Sequence, residues 1–241
     1  MTNNPYFKEK KAGQHRSLRL FCFPYAGGNS STYQDWDKDL DKHISLVTVH
    51  LKGRLERMGE DAINDMNLLV DELYLSIKPF LNEPFAFFGH SLGGLVAFAL
   101  LKKVEENGYI AKKLILSASK APHIYALDKL DDYSDAALIA KLKAHNNTPD
   151  YVFESKELME LILPTIRADY QLLDSYDNTK EKKLNSKVIV FNCEEDIDKE
   201  TSLQWSEYTD KPCGYLVFED GHFFVNAQKD KVINSINQVL S

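Results

Sequence analysis

Short apolar runs alternate with stretches of helical spacing along most of this chain. Apolar runs at 18–23, 45–51, 85–88, 113–119, 188–192 and 214–218 predict strands. Between and after them, 32–40, 66–81, 92–104, 200–208 and 226–240 carry apolar residues at helical spacing. Regular alternation of this kind predicts an α/β protein, with a mostly parallel central sheet covered by helices on both faces. The alternation fails once, between 119 and 187. Helical patterns at 136–143, 156–162 and 164–176 occur there with no convincing strand, so the segment reads as a helical insertion. Loops at the carboxyl ends of parallel strands line the active crevice. An insertion at about 121–176 is therefore expected to form a lid over it. The first dozen residues read as a disordered tail, and no repeat or low-complexity tract is visible.

Composition narrows the class. A chain of 241 residues with 44% hydrophobic content can bury one large core, so a single domain is expected. A net charge of −7 argues against nucleic acid, whose phosphates require a concentrated basic surface. The polar N-terminus lacks the apolar run of a signal peptide, and the longest apolar stretch, 85–101, is interrupted by glycine and polar residues. A cytoplasmic protein with no membrane partner is expected. Cys22, Cys193 and Cys213 are too few and too irregular for a disulfide framework or a zinc site, and Cys22 and Cys193 read as small buried apolar residues.

Chemistry enters at Gly89-His90-Ser91-Leu92-Gly93. A G-x-S-x-G between a short strand and a helix builds a nucleophile elbow, in which the serine sits on a strained turn and only glycines let strand and helix approach. Strand, turn and helix are all present, which makes Ser91 the candidate nucleophile. His90 lies within the elbow and reads as a packing or hydrogen-bonding residue.

A serine hydroxyl needs a base, and the base needs an acid to orient it. With the order Ser, acid, His, the base belongs after the last strand, where His222 is the histidine available beside the flexible Gly221. The acid belongs after the preceding strand, where Glu194, Glu195, Asp196 and Asp198 crowd together. Asp196 is the first choice because a turn of two or three residues must separate strand and carboxylate; Asp198 is the alternative. The oxyanion of a tetrahedral intermediate requires two backbone N–H groups. One is that of Leu92, and the other comes from the glycine-rich loop 23–28, from Ala26 or Tyr25.

The chain resembles the type II thioesterases of nonribosomal peptide and polyketide synthesis. The resemblance runs from residue 18 to the C-terminus and rests on Phe-Pro-Tyr-Ala-Gly-Gly at 23–28, Gly-His-Ser-Leu-Gly-Gly at 89–94 and Asp-Gly-His-Phe-Phe-Val at 220–225. Ser31-Thr32-Tyr33 with Trp36, Gly53-Arg54 with Arg57, and Leu-Pro-Thr-Ile-Arg-Ala-Asp at 163–169 add to it, the last being the most specific. It implies an α/β-hydrolase fold with Ser91 as nucleophile, Asp196 as acid, His222 as base, and Ala26 and Leu92 as oxyanion donors. Tyr25 and Ile166 are the expected substrate contacts. Three positions depart from the family pattern: Lys52 stands for a proline, Cys193 for a glycine, and Asp220 for the glycine before Gly221.

The implied activity is hydrolysis of acyl thioesters on the phosphopantetheine arm of acyl or peptidyl carrier proteins. That chemistry calls for no metal or cofactor, and a monomer is expected. Two rivals share parts of this picture: a carboxylesterase or lipase acting on free esters with the same triad, and a non-catalytic binding module on the same scaffold.

Overall fold

Strands flanked by helices on both faces must be apolar throughout, and the six predicted apolar runs are the parallel core of the sheet. The computed structural model describes residues 4–10, 16–127, 129–144, 148–177 and 182–241. Its strands are β1 (Phe7–Glu9), β2 (Leu18–Phe23), β3 (Ile44–Val49), β4 (Phe85–His90), β5 (Lys113–Ser117), β6 (Lys187–Cys193) and β7 (Gly214–Phe218), in the spatial order β1-β3-β2-β4-β5-β6-β7. All neighbours pair in parallel except β1, which runs antiparallel to β3.

β1 corrects the expectation of a disordered tail. Phe7 is buried against Phe21 and Phe80, with ring centroids 5.4 and 6.0 Å away. The Asn4 side chain accepts from the backbone N–H groups of Tyr6 and Phe7, fixing the approach to the strand. The three residues that follow, Lys8, Glu9 and Lys10, hide so short an edge strand in a charged background.

Alternate residues of each strand enter opposite cores, as the period of two requires. Phe21, Phe23 and Phe87 meet the helices α1 (Met66–Ile77) and α2 (Leu92–Glu106). Leu20, Cys22 and Phe88 face the other way, toward Tyr33, Trp36 and the last helix. The insertion comprises α3 (Pro122–Leu127), α4 (Asp135–Ala144), α5 (Asp150–Glu154) and α6 (Lys156–Asp174), and has a small core of its own around Leu138, Met159, Leu163 and Ile166. After it come α7 (Lys199–Leu203), α8 (Phe224–Ala227) and α9 (Lys229–Leu240).

Several helix boundaries differ from the sequence reading. The stretch 32–40 is two 3-10 turns, Ser30–Tyr33 and Trp36–Lys38. The Tyr33 and Trp36 rings lie 4.8 Å apart at centroid, and Trp36 stacks edge-on to Phe88. Tyr33 ends the first turn and Trp36 begins the second, and both rings pack on Phe88, which places them on the same face of the sheet. Helix α1 gives way after Ile77 to a 3-10 turn containing Pro79, since proline supplies no N–H for an α-helical bond. Likewise 200–208 is α7 followed by the 3-10 turn Gln204–Tyr208, and 226–240 is divided at Gln228, whose side chain is drawn to Asp220. In the lid the reverse holds. The two helices expected at 156–162 and 164–176 are one, α6, which continues through Pro164.

Candidate active site

The elbow works by close approach. A Cβ on Gly89 would lie 2.2 Å from the Gly93 carbonyl oxygen, one on Gly93 would lie 2.2 Å from the Phe23 oxygen, and one on Gly94 would lie 2.5 Å from Ser119 Oγ. Glycine at each position lets α2 start directly against the ends of β4 and β2. Ser91 takes φ 54 and ψ −121, a backbone conformation costly to a residue with a side chain. Its N–H donates to the Ser117 carbonyl at 2.8 Å, and its own carbonyl accepts from Gly94 N at 2.9 Å.

His222 follows β7 in a turn where Asp220 and Gly221 both have positive φ, 69 and 67. Asp220 is the position that departs from the family pattern. Its carboxylate accepts from Gln228 Nε2 at 2.8 Å, an anchor for the turn. Across the sheet edge, the His222 Nδ1–H donates to Asp196 Oδ2 at 2.6 Å. A carboxylate at Nδ1 fixes the tautomer that leaves Nε2 free of a proton and able to accept one. Asp196 sits in a tight turn whose Asp196 and Ile197 N–H groups both donate to the Cys193 carbonyl at 3.0 Å.

The other acids of the loop are engaged elsewhere or exposed. Asp198 caps α7, accepting from Thr201 N at 2.9 Å and Thr201 Oγ1 at 2.7 Å, and these bonds hold its carboxyl below the usual range. Glu194 accepts from the Tyr215 hydroxyl, and Glu195 is exposed.

His90 is fully buried, with Nδ1 2.9 Å from Ser117 Oγ and its ring 5.4 Å from that of His222, edge to face. Burial, reinforced by the neighbouring His222, pushes its pKa well below the ordinary histidine value. It is a neutral packing residue against the His222 ring.

The loop after β2 contains Ala26, the residue expected to offer an oxyanion N–H. Gly28 N donates to the Tyr25 carbonyl at 2.9 Å, closing a turn in which Gly27 has φ 71. The Gly93 contact with the Phe23 and Pro24 oxygens sets this loop beside Leu92, the first residue of α2. Tyr25 lies between the two halves of the site. Its ring packs on Phe223 at 5.1 Å and on His90 at 5.7 Å, and its hydroxyl accepts from Asn226.

Two further residues hold this loop. Asp169 of α6 accepts the Gly27 N–H at 2.7 Å and pairs with Arg54, which lies beyond β3. Arg54 reaches both Asp169 oxygens, at 2.7 and 3.1 Å, and donates to the Gly28 carbonyl at 2.9 Å. Both residues are motif positions in the sequence. Their partnership joins positions 115 apart, and nothing local in either motif announces it. Tyr125 of α3 was missed altogether. Burial raises its pKa, the Ser91 hydroxyl is among the hydrogen-bonding groups that draw it back down, and its own hydroxyl meets Lys120 N at 3.3 Å.

Ser91, Asp196, His222 and Ala26 line one cavity of about 600 Å³, and Ile162 and Ile166 of the lid help to roof it. Residues of the insertion and the elbow serine thus face the same cavity. Tyr25 also lines the cavity. Among the described residues no cluster of three or more His, Cys, Asp or Glu could hold a metal ion, and no helix is long and apolar enough to cross a membrane.

Residues 18–240 match the family described as "Thioesterase domain". Over 236 residues the chain is 29% identical to the gramicidin S biosynthesis protein GrsT of Aneurinibacillus migulanus, covering 95% of this chain and 91% of that protein. It is 31% identical over 216 residues to the medium-chain S-acyl fatty acid synthase thioesterase of Homo sapiens, covering 87% of this chain and 81% of that one. Among solved structures, the type II thioesterase BorB from the borrelidin biosynthetic cluster superposes with a TM-score of 0.86 at 27% identity, covering 100% of both chains.

Proposed function

The chain belongs to the thioesterase family, and from that premise we propose that it removes acyl groups from the phosphopantetheine arm of acyl or peptidyl carrier proteins in nonribosomal peptide or polyketide synthesis, clearing stalled or misprimed chains. One observation carries the mechanism: the 2.6 Å bond from His222 to Asp196, in the cavity that Ser91 also lines. His222 Nε2 takes the Ser91 Oγ proton as Oγ attacks the thioester carbonyl. The amides of Ala26 and Leu92 hold the resulting oxyanion. Its collapse breaks the C–S bond, and His222 returns the proton to the departing sulfur, leaving the acyl group on Ser91. Water then gives up a proton to His222 and attacks the acyl-serine. The second collapse frees the carboxylic acid and restores the Ser91 hydroxyl.

No metal or redox cofactor enters this scheme, since the pantetheine belongs to the substrate. Tyr25 and Ile166 contact the acyl-pantetheine. The protein acts as a cytoplasmic monomer. With a net charge of −7 it gains nothing from overall attraction to an acidic carrier protein, so a local surface must do the docking. Leu55, Met58 and Leu161 are exposed where they line the cavity, and they form an apolar rim suited to that contact.

Relative kcat/KM for an acylated carrier protein, the matching acyl-coenzyme A and a nitrophenyl ester tests the reading. The expected order is carrier protein, then coenzyme A, then ester. A nitrophenyl ester turned over faster than either thioester would mark a carboxylesterase, and no turnover of any would mark a binding module.

A further inference from the structure

We propose that Asp169, neutralised by Arg54, is the positioning residue of the oxyanion loop, and that lid helix α6 is thereby a fixed part of the catalytic machinery. The proposal rests on the reading of Ala26 as an oxyanion donor.

The argument begins with the turn at residues 25–28. Gly28 N bonds to the Tyr25 carbonyl, Gly27 has φ 71, and Ala26 is not among the residues of positive φ. A four-residue turn with positive φ only at its third position is type II. Types I and II differ mainly by a half rotation of the central peptide, here the one joining Ala26 to Gly27. That rotation turns ψ of Ala26 and φ of Gly27 while the Ala26 N–H stays in the preceding peptide, so holding the central peptide anchors the loop segment from which that N–H projects. The N–H of this central peptide is the group Asp169 accepts, at 2.7 Å. In the flipped turn the Ala26 carbonyl would face the carboxylate instead, oxygen against oxygen. Asp169 therefore selects one of two turns that glycine at position 27 would otherwise leave close in energy.

A carboxylate in this place carries a hazard. It lies beside the loop meant to stabilise a developing negative charge, and at 1% exposure no water screens it. Arg54, itself 8% exposed, cancels the charge through both carboxylate oxygens and holds the next peptide by the Gly28 carbonyl. The clasp thus orients the loop without opposing the oxyanion.

The same face of α6 makes two more contacts with these loops. Thr165 Oγ1 donates to the Gly53 carbonyl at 2.7 Å, and Ile166 lies 3.4 Å from where a Cβ on Gly27 would be. Arg167 points the other way, donating to the Tyr133 carbonyl and pairing with Asp135 within the lid. Helix α6 cannot swing away without releasing the turn, so any opening of the lid must leave it in place.

Replacing Asp169 alone leaves Arg54 buried and unpaired, so the test compares two charge-free pairs, Arg54→Met with Asp169→Asn and Arg54→Met with Asp169→Ala. They differ in one acceptor for the Gly27 N–H. A fluorophosphonate that labels Ser91 reports oxyanion stabilisation, and nitrophenyl acetate gives kcat and KM. Losing an oxyanion donor costs on the order of 10²–10³ in kcat. The Asn pair is expected to label Ser91 at least about tenfold faster than the Ala pair, with the difference in kcat, KM alike and melting temperatures alike. Equal labelling rates, or a difference that tracks KM and melting temperature, overturn the proposal. A wild-type protein not labelled at Ser91 overturns the nucleophile assignment on which it rests, and so the two failures are told apart.

Discussion

His222 Nδ1 and Asp196 Oδ2 stand 2.6 Å apart, while Asp198, two residues further on, spends both carboxylate oxygens on Thr201. The neighbouring acids thus have different tasks, and substitution separates them. Asp196→Asn should lower kcat by about 10⁴ through loss of the correct histidine tautomer. Asp198→Ala should lower the melting temperature by removing the α7 cap and leave kcat nearly unchanged, and Glu195→Gln should change neither. Steady-state kinetics and thermal melts of the three variants check this. A large kcat loss in Asp198→Ala would reverse the assignment.

Ser91 carries both the hydroxyl and the strained backbone of the elbow. Ser91→Ala should reduce kcat by about 10⁶ and fold normally. Ser91→Gly should be equally inactive yet more stable than Ser91→Ala by about 1 kcal/mol, because glycine adopts φ 54 without strain. More than a tenth of wild-type turnover in either variant would rule out Ser91 as nucleophile. A Gly variant no more stable than the Ala variant would show that the turn stores no strain.

Ser91 and His222 were legible in the sequence because their signals are local: two glycines around a serine between strand and helix, and a histidine beside a glycine after the last apolar run. Asp196 was harder. Choosing it over Asp198 depends on a turn in which two amides share the Cys193 carbonyl, and composition does not encode that. The clasp between Arg54 and Asp169 was invisible as a pair, since the lid and the loop after β3 meet only in the folded chain. β1 was lost for the opposite reason. Three residues carry too little pattern, and it is the pairing with β3 that makes them a strand. At Pro164 a local rule gave the wrong answer, because α6 packs along Leu163, Ile166 and Leu172 on both sides of the proline and the helix continues through it.

The buried His90 gives stability a pH dependence of definite sign. Its folded pKa lies well below 6.5, so below pH 6.5 the unfolded chain binds a proton that the folded protein refuses. Stability is fully present above that value and falls as the pH drops, by up to about 1.4 kcal/mol per pH unit for one such group. His50, also held low by burial, acts in the same direction. Glu56, whose pKa is lowered to about 2 chiefly by its bond to Lys8, contributes to the slope only below its ordinary value of 4.5. Urea unfolding at pH 7.5, 6.5 and 5.5 should therefore show wild-type stability falling across the series and His90→Gln falling less. Parallel profiles would mean that the His90 pKa is the same in the folded and unfolded states.

Ile162 and Ile166 both line the cavity, one turn apart on α6, yet they should respond differently to enlargement. Ile166 is buried in the small lid core and abuts Gly27, so Ile166→Trp presses on the oxyanion turn as well as on the cavity. Overpacking there costs roughly 1–3 kcal/mol, and displacing the turn should depress every substrate alike. Ile162 is only half-buried and packs on the edge of that core, leaving room for a larger ring to extend into the cavity. Ile162→Trp should therefore narrow the space under the lid, lowering kcat/KM for a long acyl chain on a carrier protein by tenfold or more, with nitrophenyl acetate and the melting temperature little changed; about tenfold corresponds to 1.4 kcal/mol, within what one misfitted side chain costs. Kinetics of both variants on both substrates, with melts alongside, distinguish the two positions. If Ile162→Trp lowers both activities in parallel and melts earlier, this face of α6 only packs the lid onto the core, and the acyl chain lies elsewhere.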